Sequence, residues 1–162
     1  MPEAALVIVG AGSHGREVEA YLAELPGAPR LLGFLDENKP AGAMGNSRVL
    51  GGFDVVHRLL SEFGSVRFIT AAGDNTARRK LAATAEEAGL EPFSLRHFGS
   101  LVGPECEVGA GSCLAPNTVL TRSVSLGRHC IVNVGTTVSH DCVIGDFVNL
   151  NPGVTVCGDV EI

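Results

Sequence analysis

A glycine-rich stretch near the start of the chain has the spacing of a phosphate-binding loop. Gly10, Gly12 and Gly15 form a GxGxxG pattern, with Ser13 and His14 before the last glycine. The pattern follows an apolar run and opens a predicted helix. In that context glycines let the backbone approach a pyrophosphate, and the helix N-terminus favours its charge. Any tight strand-to-helix turn also favours glycine, so the pattern leaves ligand binding and a structural turn both open.

Two later stretches could complete the same site. Asp36 ends a second apolar strand and could accept a hydrogen bond from a ribose hydroxyl. Gly73, Asp74 and Asn75 follow a third strand and lead into a helix that carries Arg78, which could neutralise a phosphate. Asp74 or Asn75 could equally cap that helix, so a ligand contact and a capping role both remain open.

A histidine followed by an aspartate in the second half could perform acid–base chemistry. His140 directly precedes Asp141. A histidine with a pKa of about 6.5 can accept a proton from an attacking amine or hydroxyl, and a neighbouring carboxylate can orient its ring. Spacing alone favours the alternative, a solvated histidine at a turn.

The segment that carries this pair has a six-residue period. From Val102 to Ile162, every sixth residue is aliphatic at eleven consecutive positions. This period predicts a left-handed parallel β-helix with one short strand per hexad and three hexads per coil. We expect the aliphatic residue, and a small residue two positions before it, to point inward, and Gly or Asn after it to relieve the turn. Since Ile162 belongs to an unfinished hexad, we also expect the chain to continue beyond it.

The first half alternates strands and helices. The pattern predicts strands at 4–9, 30–35, 48–50 and 66–72, helices at 13–25, 53–63 and 75–89, and a surface loop at 40–47. This order predicts a small parallel sheet with helices on its faces and a ligand site beyond the carboxyl ends of the strands. We therefore assign an α/β Rossmann-like domain to residues 1–95 and an all-β helix domain to residues 96–162.

Composition narrows the functional classes. The chain has 162 residues, with 12 basic against 18 acidic side chains and no basic cluster, which argues against binding to nucleic acid or anionic lipid. The apolar start is too short for a membrane span and has no basic leader, so we expect a cytoplasmic protein. Five cysteines without CxxC spacing argue against disulfides and a zinc site, and we expect no metal.

Taken together, the chain resembles bacterial sugar acyltransferases of the sialic-acid O-acetyltransferase type, which include nucleotide-amino-sugar N-acetyltransferases. The resemblance covers the whole chain, and its carriers are VIVGAGSHGREV at 7–18, GFLDE at 33–37, GDN at 73–75 and VSHDCVIGDF at 138–147. Such proteins pair a Rossmann-like domain for a nucleotide-linked sugar with a left-handed β-helix that binds acetyl-coenzyme A. They assemble as homotrimers. The resemblance thus implies an acetyl-CoA-dependent N- or O-acetyltransferase, acting on a nucleotide-linked amino sugar or a sialic-acid-type sugar in bacterial surface glycan synthesis.

The resemblance also assigns roles to residues. It implies that the loop at 10–15 and Asp36 hold the nucleotide sugar, with 73–75 assisting. It implies that His140 is the general base of a direct transfer and that Asp141 orients it.

Two asparagines of the repeat complete the expected site. Several of these proteins carry a second histidine near the coenzyme, nine positions after the catalytic one, and Asn149 stands there in this chain. Asn133, near the same face as His140 one repeat earlier, could hydrogen-bond the acceptor sugar or relieve a corner. Spacing does not decide between these two roles.

Two other functions stay open at this point. An NAD-dependent oxidoreductase is one, because Asp36 lies twenty-one residues after Gly15, as in a dinucleotide fingerprint. The hexapeptide repeat counts against it. The other is a non-catalytic sugar-nucleotide-binding scaffold whose β-helix serves only trimerisation.

Overall fold

The computed structural model describes residues 4–162. The chain divides into two compact units, the first ending at Phe93 and the second comprising Ser94–Ile162. Within the described range, no helix is long and apolar enough to cross a membrane.

The first unit is built on a six-stranded sheet with the order β3-β4-β2-β1-β5-β6. Its strands are β1 (Ala5–Val9), β2 (Arg30–Leu35), β3 (Gly42–Met44), β4 (Ser47–Gly51), β5 (Val66–Thr70) and β6 (Glu91–Pro92). Its helices are α1 (Ser13–Glu24), α2 (Val56–Phe63), which follows a 3-10 turn at Phe53–Val55, and α3 (Asn75–Glu87). This alternation confirms the Rossmann-like α/β fold.

The central strand of this sheet defines where a ligand site can form. β1 is buried along its whole length and pairs in parallel with β2 on one side and with β5 on the other. The chain therefore leaves β1 for one neighbour and later returns to the opposite neighbour. In such sheets, the crevice at the carboxyl ends of the diverging strands is the usual ligand site.

One edge of the sheet differs from the prediction. The stretch at 40–47, expected to be a surface loop, contains β3, which pairs antiparallel with β4 and makes the sheet mixed. Gly45, in the turn between them, has a left-handed φ of 59°. The Gly, Pro and Ala content of this stretch indicated a loop. A tight hairpin turn is also rich in glycine, so composition alone does not distinguish a loop from a hairpin.

The second unit is a parallel β-helix, which confirms the three-sided coil predicted from the six-residue period. Its three parallel sheets have the orders β7-β10-β13-β16, β8-β11-β14-β17 and β9-β12-β15, so each strand pairs with the strand three hexads away. Its two-residue strands are β7 (Leu95–Arg96), β8 (Leu101–Val102), β9 (Glu107–Val108), β10 (Cys113–Leu114), β11 (Val119–Leu120), β12 (Ser125–Leu126), β13 (Ile131–Val132), β14 (Thr137–Val138), β15 (Val143–Ile144), β16 (Asn149–Leu150) and β17 (Thr155–Val156).

The core of the coil follows the predicted phase, with two exceptions. Aliphatic residues such as Leu114 and Val138 are fully buried, as are Ser112 and Thr136 two positions before them. Ile162, expected to point inward, is half exposed. The repeat also begins one hexad earlier than expected, at β7, where Arg96 occupies the aliphatic position and hides the period.

The corners of the coil are built differently from the prediction. The left-handed residues stand three positions after each aliphatic residue, as at Gly135 and Asp141, rather than directly after it. Glycines directly after the aliphatic residue allow the coils to approach each other. A Cβ at Gly109 would lie 2.4 Å from the carbonyl carbon of Gly127 in the next coil.

Candidate active site

The glycine loop after β1 lies where the strand order reverses. The Gly10 N–H donates to the Leu35 carbonyl over 2.9 Å, and the Ala71 N–H donates to the Val9 carbonyl over 2.8 Å. Gly10 has a φ of 110°, and a Cβ there would lie 3.0 Å from the Ala71 oxygen. These contacts tie the ends of β1, β2 and β5 into one surface.

The N-terminus of α1 opens from this loop. Gly12 stands at the N-cap position, where it offers no side chain to the first N–H groups of the helix. Gly15 packs so closely that a Cβ on it would lie 2.3 Å from the Gly10 oxygen. The pattern therefore creates a tight turn with uncapped N–H groups, which is the arrangement that binds phosphate in such folds.

Asp36 holds this loop through its carboxylate. Its Oδ2 accepts a hydrogen bond from the Ala11 N–H over 2.8 Å, and its Oδ1 accepts from the Asn38 N–H over 2.9 Å. An ionised carboxylate has about four acceptor sites. Asp36 can therefore shape the loop and still accept a ribose hydroxyl.

Sequence reasoning missed two residues of this site. The Lys39 ammonium donates to the Ala11 carbonyl, which brings a cation to the glycine loop. Phe53 helps to line a cavity of about 190 Å³ that also includes Gly10 and Asp36. The sequence could have indicated Lys39, since this cationic residue stands three positions after Asp36. Phe53 comes from a distant part of the chain and gave no such signal.

The cavity at the glycine loop is small. Two larger cavities of the same unit, of about 650 and 370 Å³, contain none of the predicted substrate-binding residues. Because ligand pockets usually span 300–1,000 Å³, the small cavity can enclose only part of a nucleotide sugar. The rest of such a ligand has to lie along the open loop surface.

The loop after β5 is braced from within. Asp74 caps α3, because its Oδ1 accepts from the Ala77 N–H over 2.7 Å. The Arg78 guanidinium is fully buried and donates to the carbonyls of Ala72 and Gly73 and to Oδ1 of Asn75. We expected Arg78 to neutralise a phosphate. The structure instead shows it supporting the loop, because its donors are directed to loop oxygens.

His14 belongs to a short hydrogen-bonded chain on α1. Its Nδ1 lies 3.0 Å from Oε2 of Glu17, and the Tyr21 hydroxyl donates to Oε1 of Glu17 over 2.8 Å. Partial burial raises the pKa of Glu17, but the hydrogen bonds from His14 and Tyr21 and the charge of His14 outweigh it and lower the pKa. The Nε2 of His14 is buried and contacts no hydrogen-bonding group among residues 4–162.

In the second unit, His140 and Asp141 occupy the corner after β14. The Asp141 N–H donates to the Arg122 carbonyl of the preceding coil over 3.1 Å, and the His140 carbonyl accepts from the Asp159 N–H over 3.0 Å. Asp141 has a left-handed φ of 59°, which a short polar residue tolerates. The backbone of the pair is thus fixed on both sides.

The His140 side chain is oriented by its neighbour. Its Nδ1 lies 2.8 Å from Oδ2 of Asp141, and the two side chains are 61% and 57% exposed. Because an ionised carboxylate only accepts hydrogen bonds, the neutral imidazole that pairs with it carries its proton on Nδ1 and has its lone pair on Nε2. The imidazole can therefore take a proton from a substrate at Nε2.

Asn133 and Asn149 lie elsewhere on the coil. Asn133 follows β13, whereas His140 follows β14 in another sheet, so the two occupy different corners, contrary to our expectation. The Asn133 amide donates to Oδ1 of Asn149 and to the Leu150 carbonyl, each over 2.8 Å. The left-handed residue of that corner is Gly135. Asn133 therefore links two coils rather than relieving the turn.

In the described part of the chain, no group of three or more His, Cys, Asp or Glu side chains could hold a metal ion. The five cysteines all lie in this described part, and no disulfide joins them.

Known proteins share both units. Residues 5–85 match the family of the PglD N-terminal domain. The chain is 28% identical to GDP-perosamine N-acetyltransferase of Escherichia coli O157:H7 over 162 residues, which are 96% of this chain and 71% of that protein.

Three solved structures are similar over nearly the whole chain. The acetyltransferase domain of PglB from Neisseria gonorrhoeae FA1090 has 30% identity and a TM-score of 0.87, covering 98% of this chain and 76% of that one. Its complex with acetyl coenzyme A has 29% identity and a TM-score of 0.88, covering 99% and 76%. A histidine-to-alanine mutant of GDP-perosamine N-acetyltransferase from Caulobacter crescentus, in complex with CoA and GDP-perosamine, has 27% identity and a TM-score of 0.88, covering 97% and 73%. The chain therefore belongs to the PglD N-terminal domain family and is a sugar acetyltransferase.

Proposed function

We propose that this enzyme transfers the acetyl group of acetyl-coenzyme A to an amino group of a nucleotide-linked sugar, with His140 as the general base. The observation that carries the proposal is the His140–Asp141 pair, in which a carboxylate lies 2.8 Å from Nδ1 of an exposed histidine. The relatives named above favour an amine over a hydroxyl acceptor, because two of them are N-acetyltransferases.

In the proposed reaction the substrate nitrogen attacks the carbonyl carbon of the thioester directly. Nε2 of His140 takes the proton that the nitrogen loses, and the imidazolium is stabilised by Asp141. The carbon–sulfur bond then breaks, and coenzyme A leaves as a thiolate that takes the proton from the imidazolium. Backbone N–H groups stabilise the oxyanion that forms on the way.

The first unit would hold the nucleotide part of the substrate. The uncapped start of α1 and the Lys39 ammonium suit the two phosphates, and Asp36 suits a ribose hydroxyl. We assign Gly73, Asp74 and Asn75 to the same site, with Arg78 acting through the loop.

The second unit would hold the coenzyme. A relative of this chain was solved with acetyl coenzyme A, and another with CoA. We assign Asn149 to the coenzyme site because the family resemblance implies it, although within one chain Asn149 lies on another face of the coil than His140. We also infer that the coil is left-handed, as the hexapeptide repeat predicts.

We further propose that the enzyme is a cytoplasmic homotrimer acting in surface glycan synthesis. Phe98, Leu101 and Val143 of the second unit are 66%, 56% and 49% exposed, so contact with other copies of the chain at these residues would remove apolar surface from water.

The proposal is tested with the purified chain and a panel of GDP-, UDP- and dTDP-linked amino sugars. We expect one of them to raise the thermal midpoint and to be acetylated when acetyl-coenzyme A is added. Stabilisation by NAD but by none of the sugar nucleotides would overturn the substrate assignment.

The role of His140 is tested separately. His140→Ala should keep the affinity for the nucleotide sugar and lower acetyl transfer by about 10²-fold or more. His57→Ala, which removes an exposed histidine of the first unit, is the matched control and should leave turnover unchanged. Near-normal turnover of His140→Ala would remove it from the role of base.

A further inference from the structure

The imidazole of His140 lies directly against the backbone of Gly158. Residue 158 stands one coil after His140, at the same position of the hexad. A Cβ built on Gly158 would lie 2.6 Å from Cε1, 2.7 Å from Nε2 and 3.1 Å from Nδ1 of His140. Real Cβ contacts essentially never fall below 3.0 Å, so any side chain at this position would displace the ring.

The close contacts of a Cβ added at Gly158 are with the imidazole ring of His140. The three nearest heavy atoms to the added Cβ all belong to the His140 imidazole. Gly158 is also absent from the glycines with left-handed φ, so its backbone conformation is one that an alanine adopts without strain. The need for glycine here therefore comes from the histidine and not from the turn.

The backbone of His140 is held on both sides. Its carbonyl accepts a hydrogen bond from the Asp159 N–H, and the N–H of the next residue, Asp141, donates to the Arg122 carbonyl of the preceding coil. We therefore expect the ring to yield by rotation about its side-chain torsions. Such a rotation is expected to alter the contact between Nδ1 and Oδ2 of Asp141, which now lies at 2.8 Å. A hydrogen bond at that distance weakens steeply when its length and angle change.

We propose that Gly158 is a positioning residue for His140. The bare backbone at Gly158 is the surface on which the imidazole rests while its Nδ1 lies against Asp141 and the side chain stays 61% exposed. The effect on catalysis rests on the proposed function of His140 as the base, whereas the effect on the ring does not.

The test uses Gly158→Ala in the full chain. We expect kcat to fall about tenfold or more while KM for both substrates stays within about twofold, because the ring is misplaced and the binding sites are intact. The NMR signals of the His140 ring nitrogens should show loss of the preference for the tautomer with the proton on Nδ1. Unchanged kcat together with unchanged ring signals would overturn the proposal.

A matched control separates ring displacement from damage to the coil. Gly153→Ala lies in the same coil, has a φ of 70°, and would place its Cβ in open space. The left-handed backbone strains this variant, so its thermal midpoint should fall while kcat and the His140 signals stay unchanged. If Gly153→Ala altered the ring signals and kcat as Gly158→Ala does, the effect would belong to coil stability and the proposal would be wrong.

A second background tests whether Gly158 acts through His140. In His140→Ala the obstruction is gone, so adding Gly158→Ala should change neither the thermal midpoint nor the residual rate. If Gly158→Ala lowered the thermal midpoint and the rate equally in the wild-type and His140→Ala backgrounds, the proposal would be wrong. This comparison remains valid even where Gly158→Ala alone folds poorly. Normal turnover of His140→Ala would remove the proposed function, and the NMR signals of Gly158→Ala would still decide whether Gly158 positions the ring.

Discussion

The buried Arg78 offers the most discriminating test of how the substrate loop is built. Arg78→Lys keeps the positive charge, but the shorter ammonium cannot reach Ala72, Gly73 and Asn75 together, which lie 2.8, 3.2 and 2.9 Å from the guanidinium nitrogens. If the ammonium keeps one of the three hydrogen bonds and about 1 kcal/mol is lost for each of the other two, the first unit loses about 2 kcal/mol. For a unit of this size that lowers the thermal midpoint by roughly 8–16 °C.

The assay measures thermal unfolding and nucleotide-sugar binding of Arg78→Lys beside Arg79→Lys. Arg79 is exposed on the same helix, so its variant controls for the change of residue type and should keep both properties. We expect Arg78→Lys to lose stability and binding together, since the loop loses its support. Retained binding with a normal midpoint would show that the charge is what matters, and would refute the bracing role.

Three further changes probe the site. Asp141→Asn should lower kcat about tenfold without changing KM, because the amide no longer fixes Nδ1 as the protonated nitrogen of His140. An unchanged kcat would contradict the orienting role of Asp141. Lys39→Met should weaken nucleotide-sugar binding about tenfold by calorimetry, with a smaller dependence on salt; equal affinities would exclude a phosphate contact. Glu17 has a folded-state pKa below its ordinary value of 4.5, so its stabilising effect is present above that pH and is lost as pH falls. Glu17→Gln should therefore flatten the fall of the thermal midpoint between about pH 5 and pH 3, and an identical pH profile would argue against the interaction.

The coil could be predicted because its period repeats one structural unit. Each hexad places its aliphatic residue on the same inner surface, so the same pattern occurs at eleven positions and indicates the coil clearly. Two details of the coil, its first hexad and the roles of its glycines, could not be predicted for physical reasons. Arg96 at the aliphatic position hid the first hexad, and glycine serves both left-handed turns and close backbone approach. Gly109 serves the second purpose and Gly135 the first, which residue type alone does not reveal.

The substrate site was only partly predictable. The glycine loop follows from a general rule about strand ends, but Arg78 was expected to contact a phosphate. Its full burial was not predicted, because arginine is almost never fully buried. Its burial depends on three oxygens of the loop after β5, whose positions are set by the fold. Asn133 was placed near His140 from spacing, yet one hexad moves the chain to the next face of the coil.

A comparison of the histidines of the second unit supports the choice of His140 as the proposed base. The His97 ring is buried and its Nδ1 accepts from the Gly99 N–H, so its lone pair is already engaged. The His129 ring is buried and stacks on Phe147 at 5.1 Å, where a substrate cannot reach it. His140 differs on both counts, because it is exposed and its Nδ1 lies 2.8 Å from a carboxylate oxygen. The rigid coil supplies the same backbone at every corner, so exposure and the hydrogen-bond partner of Nδ1 decide which histidine can accept a proton.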